Sequence, residues 1–208
     1  MKIIKVKPDS LADKIGLKSG DHLLKINGKR VIDEIDYKFR MTEESLLLDL
    51  EINGQMERVE VEKEYDDHLG VEFEEMKIRG CANDCVFCFV DQNPPNMRDS
   101  MYFRDGDYRM SYLHGHYITM TNMGQNELKR IVEQRLSPLY ISIHVTDTQL
   151  RQKLFLYKRD DNLLEKLKFL TGNGIELHTQ IVLMPNINDN KYLLGTLNDI
   201  YPFYPILR

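Results

Sequence analysis

Hydrophobic and polar residues follow two different patterns along this 208-residue chain. Up to about residue 75, short apolar runs alternate with turn residues, a pattern typical of a small, mostly β unit. From Met76 onward, strand-length apolar runs alternate with segments of helical periodicity, which is typical of a parallel α/β layout. The pattern therefore predicts two domains, residues 1–75 and residues 76–208.

The first domain is predicted to contain turns that join its strands in pairs, together with two short helices. Asn27-Gly28 and Asn53-Gly54 are dipeptides that two-residue hairpin turns prefer. In the second helix, Ile35, Tyr37 and Phe39 are expected near an inner face. The predicted strands are 3–6, 23–26, 46–52 and 57–61, and the predicted helices are 10–15 and 32–41.

The second domain is predicted to alternate four strands with helices. The predicted strands are 76–79, 117–121, 139–145 and 175–183, and the predicted helices are 126–135, 147–154, 163–170 and 189–197. Residues 89–115 have no regular pattern, and Asn93-Pro94-Pro95-Asn96 cannot continue a helix. Loops of this length are uncommon unless they are functional or flexible. Residues 89–115 either cover a functional site or form an ordinary surface loop.

Composition and charge narrow the classes of function. A net charge of −5 gives no electrostatic reason to expect a nucleic-acid or membrane-surface partner. The opening residues alternate instead of forming a signal-peptide block, and no apolar run has the length of a membrane span. Hydrolase and NTPase motifs are absent. We expect a cytoplasmic protein with no nucleic-acid partner and no membrane association.

The three cysteines of the chain lie close together, at Cys81, Cys85 and Cys88. This C-x3-C-x2-C spacing allows one flexible loop to turn three thiolates onto one metal centre. A purely electron-carrying iron–sulfur cluster normally takes four cysteine ligands, so three would leave one iron open. Two other interpretations stay open: a zinc site completed by His114 or His116, and three unliganded thiols.

The cysteine spacing, with the aromatic Phe87 just before the last cysteine, resembles the signature of the radical S-adenosylmethionine (SAM) superfamily. The resemblance implies that the three thiolates hold a [4Fe–4S] cluster and that SAM chelates the fourth iron. It also implies an external electron donor, and an electron from the cluster that cleaves SAM into methionine and a deoxyadenosyl radical. That radical abstracts hydrogen from a substrate that the sequence does not identify.

The same resemblance implies a partial (β/α) barrel for the second domain, with four of the six family strands in this chain. Residues 180–189 are similar to the family's strand and loop beside the nucleoside. Thr119-Met120-Thr121-Asn122 stands where the family has the Gly-Gly-Glu stretch that binds the SAM amino group. The resemblance implies that Phe87, Thr121 and Asn122 lie at the cofactor site. Ser142, His144 and Gln180 are added as cofactor-binding residues because they lie near the C-terminal ends of predicted strands, although His144 could instead be a hydrogen-bonded structural residue.

The first domain resembles a PDZ domain, through Ser10-Leu11-Ala12, Gly20-Asp21 and Ile26-Asn27-Gly28 at their spacings. PDZ domains bind peptide C-termini at a Gly-Leu-Gly-Phe-like loop, and a segment of that type occurs late, at residues 69–73. The resemblance implies a circularly permuted domain in which Leu69, Gly70 and Val71 bind a peptide carboxylate. The alternative is that this segment only completes the sheet.

Taken together, the sequence predicts an α/β protein: a partial (β/α) barrel of radical SAM type, preceded by a small, mostly β PDZ-like domain. The predicted function is an iron–sulfur oxidoreductase that binds a [4Fe–4S] cluster and SAM. The alternative is a PDZ-type scaffold that binds partner peptides and whose cysteine loop holds structural zinc or a degenerate cluster. Because only four of the barrel strands can be assigned, the chain is expected to be a fragment, incomplete at its C-terminus.

Overall fold

The computed structural model describes residues 1–208 and divides the chain into two compact units, Met1–Lys77 and Ile78–Arg208. The first unit is rich in short antiparallel strands. The second combines parallel strand segments with helices. The protein is therefore a mixed α/β structure with a small β-rich N-terminal region.

The first unit contains six strands and two helices. Its elements are β1 (Ile3–Val6), α1 (Leu11–Lys14), β2 (His22–Ile26), β3 (Lys29–Arg30), α2 (Glu34–Arg40), β4 (Ser45–Ile52), β5 (Gln55–Glu62) and β6 (Val71–Phe73). Strands β3, β2, β4 and β5 form an antiparallel sheet in that order, and β1 pairs separately with β6. The first and last strands of the unit are therefore neighbours, with Ile3 opposite Phe73.

The turns of the first unit follow from their sequence. Asn27-Gly28 joins β2 to β3 and Asn53-Gly54 joins β4 to β5, and all four residues have positive φ. A two-residue hairpin turn of this kind requires that backbone geometry. Along β4, Leu46, Leu48 and Leu50 are fully buried, as the period of two in a strand dictates.

The two helices of the first unit begin at capping side chains. The hydroxyl of Ser10 accepts a hydrogen bond from the Asp13 N–H at the start of α1, and Asp33 does the same for the Asp36 N–H of α2. The predicted inner face of α2 is partly wrong. Tyr37 is buried, but Phe39 is 38% exposed because the seven-residue helix turns it outward.

The second unit contains two strands and five helices. Its elements are α3 (Tyr108–His114), α4 (Gln125–Glu133), β7 (Leu139–Ser142), α5 (Thr148–Phe155), α6 (Leu163–Gly172), β8 (Leu177–Gln180) and α7 (Asn190–Ile200). Short 3-10 turns occupy Phe89–Gln92, Asp99–Tyr102 and Tyr201–Phe203. None of the helices combines the length and apolar character needed to cross a bilayer.

Four chain segments run parallel in the second unit. Strand β7 pairs with β8, Ile118 bridges to Ile141 beside β7, and Leu207 bridges to Leu177 beside β8. The array is open, and no closed barrel is observed. Its two faces differ in chemistry. One face is apolar and fully buried, and its residues are Ile118, Leu139, Ile141, Ile143 and Leu177.

Three sequence expectations for the second unit are wrong. Of the strand predicted at 117–121, only Ile118 pairs, in an isolated parallel bridge with Ile141. Residues 76–79 form no strand; instead Gly80 makes an antiparallel bridge with Asp105, so the chain before the cysteines pairs with the later loop. That loop is also more regular than its sequence indicates, because α3 begins at Tyr108. Asp107 caps this helix by accepting a hydrogen bond from the Arg109 N–H.

Candidate functional site

The three-cysteine loop is held from two sides by backbone hydrogen bonds. On one side, the Cys81 N–H donates to the Arg104 carbonyl oxygen over 2.7 Å. On the other side, the Asp84 and Val86 N–H groups donate to carbonyl oxygens of Phe155 and Leu154, each over 3.0 Å. The loop thus lies between residues 104–106 and the C-terminal end of α5, where unsatisfied helix carbonyls are available.

Gly106 makes the closest backbone approach to the cysteine loop. Its N–H donates to the Arg79 carbonyl oxygen over 3.1 Å. A Cβ placed on Gly106 would lie 2.7 Å from Cys81 Cα and 3.0 Å from Cys81 N, closer than real Cβ contacts allow. Only glycine therefore allows this segment to pack against the first cysteine.

Side-chain hydrogen bonds join the cysteine loop to the polar face of the parallel array. Asn83 Nδ2 donates to the Thr119 hydroxyl over 2.8 Å, and the Thr121 hydroxyl donates to Asn83 Oδ1 over 2.9 Å. The two threonine hydroxyls are 3.0 Å apart and complete a closed triangle. Asn122 Nδ2 also reaches the Gly80 carbonyl oxygen at 3.4 Å. Thr121 and Asn122, two predicted cofactor-binding residues, thus contact the cysteine loop.

The three cysteines are free thiols that interact electrostatically with one another. Burial, together with the nearby charges of Cys81 and Cys88, raises the pKa of Cys85 to about 12. Burial also raises the pKa of Cys81, against an opposing effect from the Arg104 charge. Burial and repulsion between neighbouring thiolates both favour the neutral thiol.

The donor set fits an iron–sulfur cluster in its chemistry but is not arranged as a finished metal site. No group of three or more histidine, cysteine or acidic side chains has the geometry to hold an ion. The thiols are nevertheless partly exposed, unpaired and confined to one loop, so a short rearrangement of residues 81–88 is needed to bring them onto one centre.

The histidines considered as zinc ligands do not complete this set. His116 Nδ1 is 2.7 Å from Asp105 Oδ2, and the ring of His114 lies 5.9 Å from that of His116. The Asp105 carboxylate is thus the partner of His116, and neither histidine belongs to a group that could hold an ion with the cysteines.

Phe87 and His144, both predicted from sequence, meet in the structure. Their ring centroids are 4.8 Å apart in an edge-to-face arrangement, and Phe155 lies beside both rings. His144 is 4% exposed, and its Nδ1 accepts a hydrogen bond from the Val182 N–H over 3.0 Å. Burial, with a smaller effect from the Arg151 charge, lowers the pKa of His144 to about 4. The imidazole is therefore neutral at physiological pH.

Asn188, which the sequence comparison did not single out, fixes the loop after β8 to His144. Its side chain is fully buried, and its Nδ2 donates to the carbonyl oxygens of His144 and Val182, each over 2.9 Å. Its Oδ1 accepts from the Met184 N–H over 2.7 Å. One amide therefore shapes the segment predicted to lie beside the nucleoside.

Ser142 and Gln180, also predicted from sequence, are partners at the ends of β7 and β8. They are opposite one another in the parallel register, and Gln180 Nε2 donates to the Ser142 hydroxyl over 3.0 Å. Ser142 is buried and Gln180 is half-buried. Their polar groups lie at the carboxyl ends of parallel strands, the edge where α/β proteins place their ligands.

Arg151 on α5 links several parts of the site and was missed by sequence reasoning. Its Nε donates to the buried Asp161 carboxylate over 2.8 Å, and its Nη2 donates to the Thr119 carbonyl oxygen over 2.9 Å. Its Nη1 donates to the Ile143 carbonyl oxygen, and its guanidinium lies 4.5 Å from the centre of the Phe155 ring. No sequence signal marks it, because these contacts join segments far apart in the chain.

In the first unit, residues 69–71, which were predicted to bind a peptide carboxylate, contact the chain around the N-terminus of α1. The Leu69 and Gly70 carbonyl oxygens accept hydrogen bonds from the Ala12 and Lys7 N–H groups. Gly70 has φ of +80°, and a Cβ there would lie 2.3 Å from Ser10 Cβ, so no other residue fits.

Tyr37 of α2 packs against the strand that follows this loop. Its ring meets that of Phe73 edge-on, with centroids 4.9 Å apart. Burial raises the pKa of Tyr37 to about 12, and a hydrogen bond from the Leu69 backbone to its hydroxyl opposes that rise. The phenol therefore lies close to the predicted peptide site.

Comparison with protein families matches both parts of the chain. The family of the Radical SAM-like domain matches residues 63–208, and the PDZ domain family matches residues 2–55. PDZ domains are peptide-binding modules. Comparison with curated proteins gave no significant match. The combination predicted from the cysteine loop and from the N-terminal motifs is thus confirmed: this chain belongs to the Radical SAM-like family and carries a PDZ domain at its N-terminus.

Proposed function

We propose that residues 76–208 form a partial (β/α) barrel of radical SAM type that binds a [4Fe–4S] cluster through Cys81, Cys85 and Cys88. When bound, such a cluster supplies the electron that cleaves SAM into methionine and a deoxyadenosyl radical. The electron comes from an external donor, and the protein acts as an oxidoreductase in the cytoplasm.

The observation that carries this proposal is the contact between the cysteine loop and the polar ends of the parallel segments. Asn83 bonds both Thr119 and Thr121, so the loop is fixed over the strand ends. Phe87 and His144 adjoin each other beside it. In this arrangement Thr121, Asn122, Ser142 and Gln180 offer hydroxyl and amide groups to a polar ligand, and Phe87 offers a ring face to a base.

His144 serves as a neutral acceptor in this proposal. Its Nδ1 holds the Val182 N–H and its carbonyl oxygen holds Asn188, so it fixes the loop after β8. Because its pKa is lowered to about 4, mainly by burial, it does not supply a proton near neutral pH. Its role is to orient that loop beside the bound nucleoside.

The proposal for residues 1–75 is a PDZ-like domain that binds the C-terminus of a peptide or protein at Leu69, Gly70 and Val71. Support comes from the family match over residues 2–55 and from the pairing of β6 with β1. Strand β6 pairs with no other strand, so an added peptide strand would lie along its second edge.

Metal analysis after anaerobic reconstitution tests the central proposal. The 208-residue protein treated with iron and sulfide should retain both elements after desalting, and conversion of SAM to deoxyadenosine under reducing conditions gives a second readout. Single changes of Cys81, Cys85 or Cys88 to Ala should abolish iron retention while residues 1–77 stay folded. Full iron content in these variants would exclude the ligand assignment, and stoichiometric zinc in place of iron would favour a PDZ-type scaffold.

A further inference from the structure

Two carboxylates lie in or beside the cysteine loop. Asp84 lies between the first two cysteines, and Asp91 lies just after the third. One cation placed between these two carboxylates can hold the two parts of the loop together. The side chain that contacts both carboxylates is that of Arg104.

Arg104 bridges the cysteine loop at both ends. Its Nη1 lies 2.7 Å from Asp84 Oδ1, and its Nη2 lies 2.7 and 2.6 Å from the two carboxylate oxygens of Asp91. The same residue accepts the Cys81 N–H at its backbone carbonyl, over 2.7 Å. One residue thus contacts the chain at the first cysteine, between the first two cysteines, and beyond the last.

We propose that Arg104 is a positioning residue that holds the two ends of the cysteine loop together before any metal binds. The metal-binding role of the loop rests on the proposed function above. Arg104 keeps the three cysteines in one region, so that only the interior of the loop must rearrange when the ligands close. Gly106 allows this by letting residues 104–106 pack against Cys81.

The effect of Arg104 is local. Both of its carboxylate partners are at least half exposed, and exposed ion pairs contribute little to global stability. Removing the guanidinium should therefore leave the thermal midpoint of the protein nearly unchanged. The hydrogen-exchange protection of residues 81–91 should fall instead, because no other side-chain contact joins Asp84 to Asp91.

Amide hydrogen exchange of the metal-free 208-residue protein tests whether Arg104 holds the cysteine loop together. In Arg104→Gln, amides of residues 81–91 should exchange about tenfold faster than in the unchanged protein, since two charge-assisted contacts are lost. Asp91→Asn should give a smaller increase. Arg104→Lys should restore part of the protection, because it keeps the charge but cannot span both carboxylates. Arg98→Gln is the matched control, since Arg98 lies in the same segment without an ion pair.

Cluster retention gives the second readout. After anaerobic reconstitution, Arg104→Gln should lose iron and visible absorbance to a chelator faster than Arg98→Gln does. Equal exchange and equal iron loss in these two variants would overturn the positioning role. Faster exchange in Arg104→Gln, in a protein that never takes up iron, would instead refute the cluster and leave Arg104 as the residue that orders the loop.

Discussion

His144 is the residue whose charge state the fold controls most clearly. Its ring contacts those of Phe87 and Phe155 and is almost fully buried. The bond from the Val182 N–H uses the lone pair of Nδ1, so a proton on that atom would break it. Burial, assisted by the charge of Arg151, lowers the pKa of His144 to about 4 from the ordinary value of 6.5.

This lowered pKa predicts acid sensitivity between about pH 6.5 and pH 4. In that window the unfolded chain binds a proton that the folded chain does not, so the free energy of unfolding falls as the pH falls. A shift of this size corresponds to about 3 kcal/mol at the acid end of the window. Urea unfolding of the 208-residue protein at a series of pH values measures this dependence of the free energy of unfolding on pH.

The matched comparison is between two histidine variants. His144→Asn should flatten the pH dependence in this window, whereas His68→Asn, which changes an exposed histidine, should preserve it. If His144→Asn retains the full dependence, another group is responsible for the acid sensitivity.

Arg151 and Asp161 form a buried ion pair whose two members depend on each other. Replacing Arg151 by Met leaves the Asp161 carboxylate buried without its cation, which should cost about 3–5 kcal/mol of unfolding free energy. The double change Arg151→Met with Asp161→Leu should recover much of this loss, because no charge is left unpaired. Denaturant unfolding of the single and double variants checks this, and equal losses in both would refute the pairing argument.

At the scale of elements, the sequence correctly predicted turns and helix starts that depend on neighbouring residues. The turns at Asn27-Gly28 and Asn53-Gly54, and the start of the helix after Asp147, depend on residues adjacent in sequence and were found as expected. The strand predicted at 76–79 does not form. Its one strongly apolar side chain, Ile78, is 43% exposed, and pairing with residues near Asp105 takes over the backbone that follows.

The candidate site shows the same division between local and distant information. The cysteine spacing and Phe87 are visible in sequence because they lie within one loop. The contacts of Arg104 and Arg151 are not visible, since they join residues 20 and 32 positions apart that only the fold brings together. Asn188 lies within residues 180–189, which are similar to a segment of the family. Its role was not visible in the sequence, because it depends on a contact with His144, 44 residues earlier.

The pairing of residues 104–106 with the cysteine loop depends on a glycine. Gly106→Ala would place a Cβ 2.7 Å from Cys81 Cα, so the backbone at residue 106 or at residue 81 must move. We expect a loss of about 1–3 kcal/mol, as for other overpacked sites. Gly195→Ala is the control: a Cβ there meets nothing within 4 Å, and alanine should stabilise α7 by about 0.5–1 kcal/mol. Thermal and urea unfolding distinguish the two, and equal stability would contradict the close approach.

At the scale of the whole molecule, the family boundaries and the folding units do not coincide. The Radical SAM-like match begins at residue 63, whereas the first compact unit extends to Lys77 and includes β6. Leu69 belongs to the hydrophobic core of that unit, together with Ile3 and Leu23. The residues between 63 and 77 are therefore needed to complete the core of the PDZ-like unit.

This arrangement predicts different behaviour for two truncated proteins. Residues 1–77 expressed alone should unfold cooperatively in urea and give well-dispersed amide signals in NMR spectra. Residues 1–62, which lack β6 and Leu69, should be much less stable, because β1 loses its partner and the core loses a fully buried leucine. Equal stability of the two proteins would show that β6 is dispensable.

At the peptide site proposed for the first unit, an arriving carboxylate would compete with the Tyr37 phenol, on whose pKa the Leu69 backbone acts. The apparent dissociation constant would then be the intrinsic constant divided by the fraction of molecules in which the phenol has moved away. Tyr37→Phe keeps the ring contact with Phe73 but removes the phenol hydroxyl. It should therefore tighten the binding of free-acid peptides, measured by fluorescence titration, and leave amidated peptides unaffected.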